Sequence, residues 1–134
     1  MKNTLSLLSL FLASNSFAGV PAVKKCVSQY FPRDHLAPAC AGVETDSDVA
    51  TVKRCVDQLA GSYDSFAAAC AGVKTDTDIV EVKKCAHQFF LHTDFAPACA
   101  GVKTDSDVAA VKKCVYQFVL YPDAVAGAAC RGVK

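Results

Sequence analysis

The residues of this chain that could carry chemistry are eight cysteines, three histidines, paired acids and paired bases. A thiol enzyme needs a reactive unpaired cysteine, and a structural zinc site needs closely spaced ligands. The cysteines fit neither requirement, because each has an apparent partner and no two have finger-like spacing. They alternate between a first and a second set: Cys26, Cys55, Cys85 and Cys114, and Cys40, Cys70, Cys99 and Cys130. The sequence therefore predicts four disulfides, with no metal and no cofactor.

The spacing of the cysteines also predicts how they pair. The second cysteine of one unit and the first of the next are always 15 positions apart, whereas the separation within a unit is 14, 15, 14 or 16. Partners across a helical hairpin should lie equally far from its turn, and the midpoint between Cys55 and Cys70 falls on Gly61 to Tyr63. We therefore predict Cys26–Cys40, Cys55–Cys70, Cys85–Cys99 and Cys114–Cys130. Closing a loop of about 15 residues stabilises a fold by on the order of 3 kcal/mol.

The histidines and the acids have simpler explanations than catalysis. The histidines, at positions 35, 87 and 92, occupy three different places in the repeat, which favours surface roles. The Asp-x-Asp pairs lack the further oxygen ligands and the glycine of an EF-hand calcium loop. Helix capping explains them instead, since Thr45 and Asp48 can exchange hydrogen bonds in a capping box. With no phosphate-binding loop or nucleophile elbow in the sequence, we expect a protein that is not an enzyme.

These residues are positioned by a sequence unit of about 30 residues that occurs four times. Val-Lys-Lys/Arg-Cys-x-x-Gln surrounds the first cysteine, and Ala-Cys-Ala-Gly-Val the second, with Arg131 replacing one alanine in the last copy. A period near 30 residues is typical of arrays in which each unit stacks on the next. We expect one domain over 19–134, made of repeats 1 to 4 at 19–44, 45–74, 75–103 and 104–134.

Each repeat has the pattern of two helices. In repeat 2 the apolar residues of the first helix recur at the spacing of one helical face, at Val49, Val52, Val56 and Leu59. The second helix is shorter, with Asp34, Asp64 and Asp94 as predicted N-caps and a glycine at its C′ position. The predicted fold is all-α: four tandem disulfide-stapled helical hairpins stacked as a short α-solenoid.

Residues 1–18 have the pattern of a secretory signal peptide. Lys2 supplies the positive region, the apolar run from Leu5 to Ala13 is too short to span a bilayer, and small residues precede Gly19. Without Lys2, 13 basic residues balance 13 acidic ones, so we expect no nucleic-acid binding. We predict a secreted protein, extracellular or in a bacterial periplasm, with no transmembrane segment.

The hairpin turns are the expected place for recognition, because their length and residues vary while the joints between repeats stay constant. The competing explanation is that the aromatic residues of the turns fill the hairpin core. The predicted function is a secreted, non-enzymatic binding module for a protein or peptide, acting as an effector or inhibitor, and monomeric or weakly self-associating. The residues predicted to contact the partner are Tyr30, Phe31, Arg33, Tyr63, Phe90, His92 and Tyr121.

A second functional hypothesis comes from paired bases in the first helix of every repeat. These residues, which we call the basic ladder, are Lys24, Lys25, Lys53, Arg54, Lys83, Lys84, Lys112 and Lys113. Stacking would align them into a stripe able to bind a polyanion such as a cell-surface glycan or anionic lipid. The alternative is a solvated face whose long stems cover apolar surface. Dibasic pairs are also typical of precursor processing, although a helical position beside a disulfide protects them.

Overall fold

The computed structural model describes residues 19–59, 64–89 and 92–134, which form four helical hairpins and contain no strand. The first helices of repeats 1 to 4 are Val20–Tyr30, Asp46–Leu59, Asp76–Gln88 and Asp105–Tyr116. The second helices are the 3₁₀ helices Asp34–Cys40, Asp64–Cys70 and Thr93–Cys99, and the α-helix Asp123–Ala129. The predicted all-α array of stacked hairpins is therefore confirmed. The predicted signal peptide lies outside the described residues.

The first helices of repeats 2 to 4 begin with the predicted capping boxes. In repeat 3 the Thr75 hydroxyl accepts a hydrogen bond from the Asp78 amide at 3.1 Å, and the Asp78 carboxylate accepts one from the Thr75 amide at 3.1 Å. Equivalent bonds form at the start of repeats 2 and 4. Beyond the cap, the predicted apolar face of repeat 2 is buried, which packs this helix into the core.

The predicted N-caps of the second helices are wrong, since Asp34, Asp64 and Asp94 all lie inside those helices. In repeats 1 and 3 the helices follow Arg33 and His92, and neither of these two preceding side chains makes a capping bond. The tighter 3₁₀ winding explains the difference, because its i to i+3 bonds satisfy the first turn differently from an α-helix. The four closing glycines all have positive φ, of 83°, 81°, 83° and 78° in repeat order. The predicted C′ position is confirmed for Gly42 and Gly101, while in repeat 4 the C-cap is Cys130 and Gly132 lies one residue beyond C′.

One disulfide closes each hairpin, and all four predicted pairings are confirmed. The Cα atoms of the partners are 5.7–5.8 Å apart, within the range that a disulfide requires. Seven of the eight cysteines are fully buried, while Cys114 in repeat 4 is partly exposed. The bridges therefore form part of the core, with the one in repeat 4 the least covered.

The repeats stack through small residues on their second helices. The alanine before the second cysteine, at positions 39, 69 and 98, has no exposed surface in repeats 1 to 3. Gly127 permits the closest approach, because a Cβ atom there would lie 2.3 Å from the carbonyl oxygen of Asp94. Any side chain at position 127 would therefore push repeat 4 away from repeat 3.

Lysine–aspartate contacts within repeats 2 to 4, which the sequence analysis missed, hold each lysine against a glycine carbonyl of the preceding repeat. Lys74 Nζ lies 2.8 Å from Asp48 Oδ2 and 2.7 Å from the Gly42 carbonyl oxygen. Lys103 and Lys134 make the same two contacts one and two repeats further on. The sequence does contain a signal for these contacts, because every repeat with a capping aspartate at its start has a lysine as its last residue. Repeat 1, where Gly19 replaces that aspartate, closes with Glu44 instead.

Hydrogen bonding explains the electrostatics of these contacts. The bond from Lys74 and backbone bonds from Glu44 and Thr45 outweigh the effect of burial, and lower the pKa of Asp48 to about 2. For Asp78, burial is the largest single effect and raises the pKa, but the bonds from Lys103 and the backbone together lower it. These carboxylates therefore stay charged well into the acid range.

Candidate functional site

The structure places the predicted partner-binding residues in different environments. Phe31, Arg33, His92 and Tyr121 are exposed at the hairpin turns, as a recognition role requires. Tyr30 is only 8% exposed. It occupies the position four residues after the first cysteine, where the other repeats hold Leu59, Phe89 and Phe118 as core residues. Tyr30 is therefore excluded from the candidate surface. Tyr63 and Phe90 lie outside the described residues.

Exposed apolar side chains are concentrated at the turn of repeat 4. The group that we call the repeat 4 patch, with the exposed fraction of each residue, is Tyr116 (60%), Val119 (74%), Leu120 (94%) and Tyr121 (58%). The position of Tyr116 is also exposed in the other three repeats, where it holds Ser28, Asp57 and His87. Its exposure is thus a general property of that helix face. The sequence analysis named only Tyr121 from this patch, because it did not compare equivalent positions across repeats.

A pocket of about 310 Å³ opens beside the patch, between repeats 3 and 4. We call it the joint pocket; its lining is Gln88, Phe89, His92, Phe95, Val115, Tyr116, Phe118, Val119 and Asp123. The rings of Phe89 and Phe95 meet edge to face, with centroids 5.3 Å apart. The volume is at the lower end of the range of small-molecule sites, large enough for one long side chain or a compact ligand.

One ion pair forms the polar rim of the joint pocket. Asp123 begins the second helix of repeat 4, and its Oδ2 lies 3.0 Å from Nδ1 of His92 in the turn of repeat 3. Of the described residues that line the pocket, Asp123 alone bears a formal charge when His92 is neutral. The pocket is thus mainly aromatic and aliphatic, with Gln88, His92 and the Asp123 carboxylate as its polar side chains.

The joint between repeats 1 and 2 has a related ion pair with an additional base. Both oxygens of Asp64 are engaged there, Oδ1 by the guanidinium of Arg33 and Oδ2 by Nε2 of His35 at 2.6 Å. The bond from His35 and the charge of Arg33 lower the pKa of Asp64. Arg33, predicted to bind a partner, therefore has an internal role in holding two turns together.

Half of the basic ladder is paired with acids: Lys25, Lys53, Arg54 and Lys84. The second base of the pair reaches the first aspartate of the next repeat in three cases: Lys25–Asp46 at 3.3 Å, Arg54–Asp76 at 3.0 Å and Lys84–Asp105 at 2.8 Å. Lys53 pairs with Asp57 at 2.9 Å, and Lys83 donates to Gln58 at 3.2 Å. No ion pair is formed by Lys24, Lys112 or Lys113 with the residues that the structure describes. The ladder is therefore a face of mixed charge.

The comparisons with known proteins add no relative: no protein-family model, no curated protein and no solved structure matches the chain. Across 19–59, 64–89 and 92–134, no three histidine, cysteine or acidic side chains are grouped so that they could hold a metal ion. None of the helices in these ranges combines the length and the apolar character needed to cross a bilayer.

Proposed function

We propose that this protein is a secreted, non-enzymatic binding module that recognises a protein or peptide through the hairpin turns of repeats 3 and 4. We call the side of the stack that carries these turns the turn edge. The observation that carries the proposal is the repeat 4 patch beside the joint pocket. Clusters of exposed aromatic and aliphatic side chains are typical of interaction sites, and a pocket next to them gives a partner residue a place to anchor. Secretion is supported by four disulfides, which persist in oxidising compartments.

The packing of the fold suits this role. The bridges close each hairpin. Ion pairs from the basic ladder to the next repeat, and lysine bonds to glycine carbonyls of the preceding repeat, fix each repeat against its neighbour, so the turn edge is held on a rigid frame. A preorganised surface loses little conformational entropy when it binds. This rigidity favours recognition of an extended or helical peptide segment, whose own ordering then dominates the entropy of association.

A selection from a random peptide display library, with the disulfides of the protein intact, tests the proposal. We expect enriched peptides whose binding falls about tenfold or more in Leu120→Asp, because a charge then occupies the centre of the contact. Val80→Asp is the matched control, since Val80 is 51% exposed but lies near the start of the first helix of repeat 3. Peptides that bind wild type and Leu120→Asp equally would contradict the proposed surface.

Polyanion binding through the basic ladder is the alternative function. Lys24, Lys112 and Lys113 are exposed and form no ion pair with the described residues, which favours it, but the remaining ladder residues are engaged within the protein. We expect elution from a heparin column at low salt. Strong retention that falls steeply with salt, and is lost in Lys112→Gln/Lys113→Gln, would instead favour the polyanion function.

A further inference from the structure

We propose that the joint pocket binds an organic cation, the side chain of an arginine or lysine in the partner peptide. The inference rests on the proposed function, because it names the residue that anchors the partner beside the repeat 4 patch. The inference is based on the carboxylate of Asp123, which is incompletely engaged and lies at the edge of a pocket lined by Phe89, Phe95 and Phe118.

The state of Asp123 is the first argument. Its side chain is 42% exposed, and within the described part of the chain the single polar contact found for it is with His92. A neutral histidine leaves the carboxylate charge uncompensated, and this ion pair is complete only when His92 is protonated. Asp64 at the other joint has both oxygens engaged, one of them by a permanently charged guanidinium. Asp123 therefore retains the capacity to bind an incoming cation.

The aromatic walls are the second argument. Benzene rings attract cations electrostatically, and the long methylene stem of arginine or lysine packs well against apolar walls. A guanidinium adds planar stacking and a two-bond match to a carboxylate, so we expect arginine to bind more tightly than lysine. Lys112 Nζ lies 5.9 Å from the ring centre of Tyr116, so this pocket residue already attracts one internal base. Among the described residues that line the pocket there is no lysine or arginine.

Two matched pairs of small probes test the inference in the intact protein. N-acetyl-arginine amide is compared with N-acetyl-citrulline amide, and N-acetyl-lysine amide with N-acetyl-norleucine amide, by NMR titration at neutral pH. The arginine–citrulline pair keeps the length of the side chain and differs in charge, whereas norleucine keeps the carbon chain of lysine without its terminal ammonium group. We expect the cationic member to shift resonances of Phe89, Phe118 and Val119 and to bind about fivefold more tightly than its neutral counterpart.

Two variants assign the effect to one carboxylate. Asp123→Asn keeps the shape of the side chain and should abolish the preference for arginine over citrulline. Asp64→Asn makes the same change at the joint of repeats 1 and 2 and should leave the preference intact. The amide spectrum reports directly whether each variant remains folded.

The inference is overturned if citrulline binds as tightly as arginine, if the preference survives Asp123→Asn, or if neither probe shifts the pocket resonances. These outcomes are separate from failure of the proposed function. Display peptides whose binding is lost in Leu120→Asp, but which are not enriched in arginine or lysine, would contradict the cation site alone. A library that yields no peptide dependent on the repeat 4 patch would contradict the proposed function. The probe titration would still show whether the pocket binds a cation.

Discussion

The two joints that bring neighbouring hairpin turns together use the same kind of acid in different ways. Between repeats 1 and 2, Asp64 is engaged by Arg33 and His35, so the carboxylate serves to hold the turns. Between repeats 3 and 4, Asp123 meets only His92 among the described residues, at the rim of an aromatic pocket. One scaffold therefore has a closed joint and an open joint. This difference is the basis on which we propose the open joint as the ligand site.

The largest effects on stability should come from removing the disulfides of repeat 1 and repeat 4, which lie beside the closed and the open joint. Replacing Cys26 and Cys40, or Cys114 and Cys130, by alanine should each reduce the free energy of unfolding by about 3 kcal/mol, because the closed loops are similar in length. The loss should be greater in repeat 1, where both cysteines are buried, than in repeat 4, where Cys114 is partly exposed. Urea denaturation measures both values; a larger loss in repeat 4 would contradict the assigned packing.

Acid should weaken the whole stack, because the lysine–aspartate contacts recur in repeats 2 to 4. The folded-state pKa of Asp48 is lowered from 3.8 to about 2, and those of Asp78 and Asp107 are also lowered. A lowered pKa means that the stabilisation is present above about pH 4 and is lost as pH falls towards 2. Urea midpoints measured across this range should fall, and Asp48→Asn should show a smaller fall than wild type. A midpoint that rises with acidity would exclude this linkage.

The sequence predicted the frame of both joints better than their polar contacts. The thirty-residue period, the cysteine spacing and the Thr-Asp-x-Asp caps are local or repeated signals, and they correctly predicted the helices, the bridges and the closing glycines. The partnership of His92 with Asp123 was not predictable, because 31 positions separate them and the turns differ in length. Tyr30 was misplaced for a related reason, since an aromatic residue near a turn fits either the core or the surface. Alignment of Tyr30 with Leu59, Phe89 and Phe118 could have placed it correctly.

Tyr30→Phe should make repeat 1 resemble repeats 3 and 4 at this core position. The Tyr30 hydroxyl is buried and has no hydrogen-bond partner in the part of the chain that the structure describes. Removing it should raise the free energy of unfolding by about 1 kcal/mol, because an unsatisfied polar group is no longer buried. Thermal and urea unfolding test this; a destabilised variant would show that the hydroxyl has a partner.

Tyr30 should also make the stability of the protein depend on pH in the alkaline range. Burial, with a smaller effect from Asp57, raises the pKa of Tyr30 to about 12. A raised pKa stabilises the fold below the ordinary value of 10, and this contribution is lost as pH rises from about 10 to 12. Wild type should therefore lose stability over that interval to a greater extent than Tyr30→Phe. Parallel curves for the two proteins would contradict the assignment.

The smallest effects should come from the two joint acids themselves. Asp64→Asn removes the charge that Arg33 and His35 share, so its urea midpoint should fall slightly, as is usual for surface ion pairs. Asp123→Asn should change the midpoint less, since no permanently charged group faces that carboxylate within the described residues. Equal losses in the two variants would remove the distinction between a closed and an open joint.

The most direct test of the account is to map where a selected peptide binds. Backbone amide shifts are recorded for the native, disulfide-bonded protein with and without a display-selected peptide. We predict shifts confined to the turn edge of repeats 3 and 4, centred on Val119, Leu120 and Asp123. Shifts centred on the basic ladder, or on the turns of repeats 1 and 2, would contradict it.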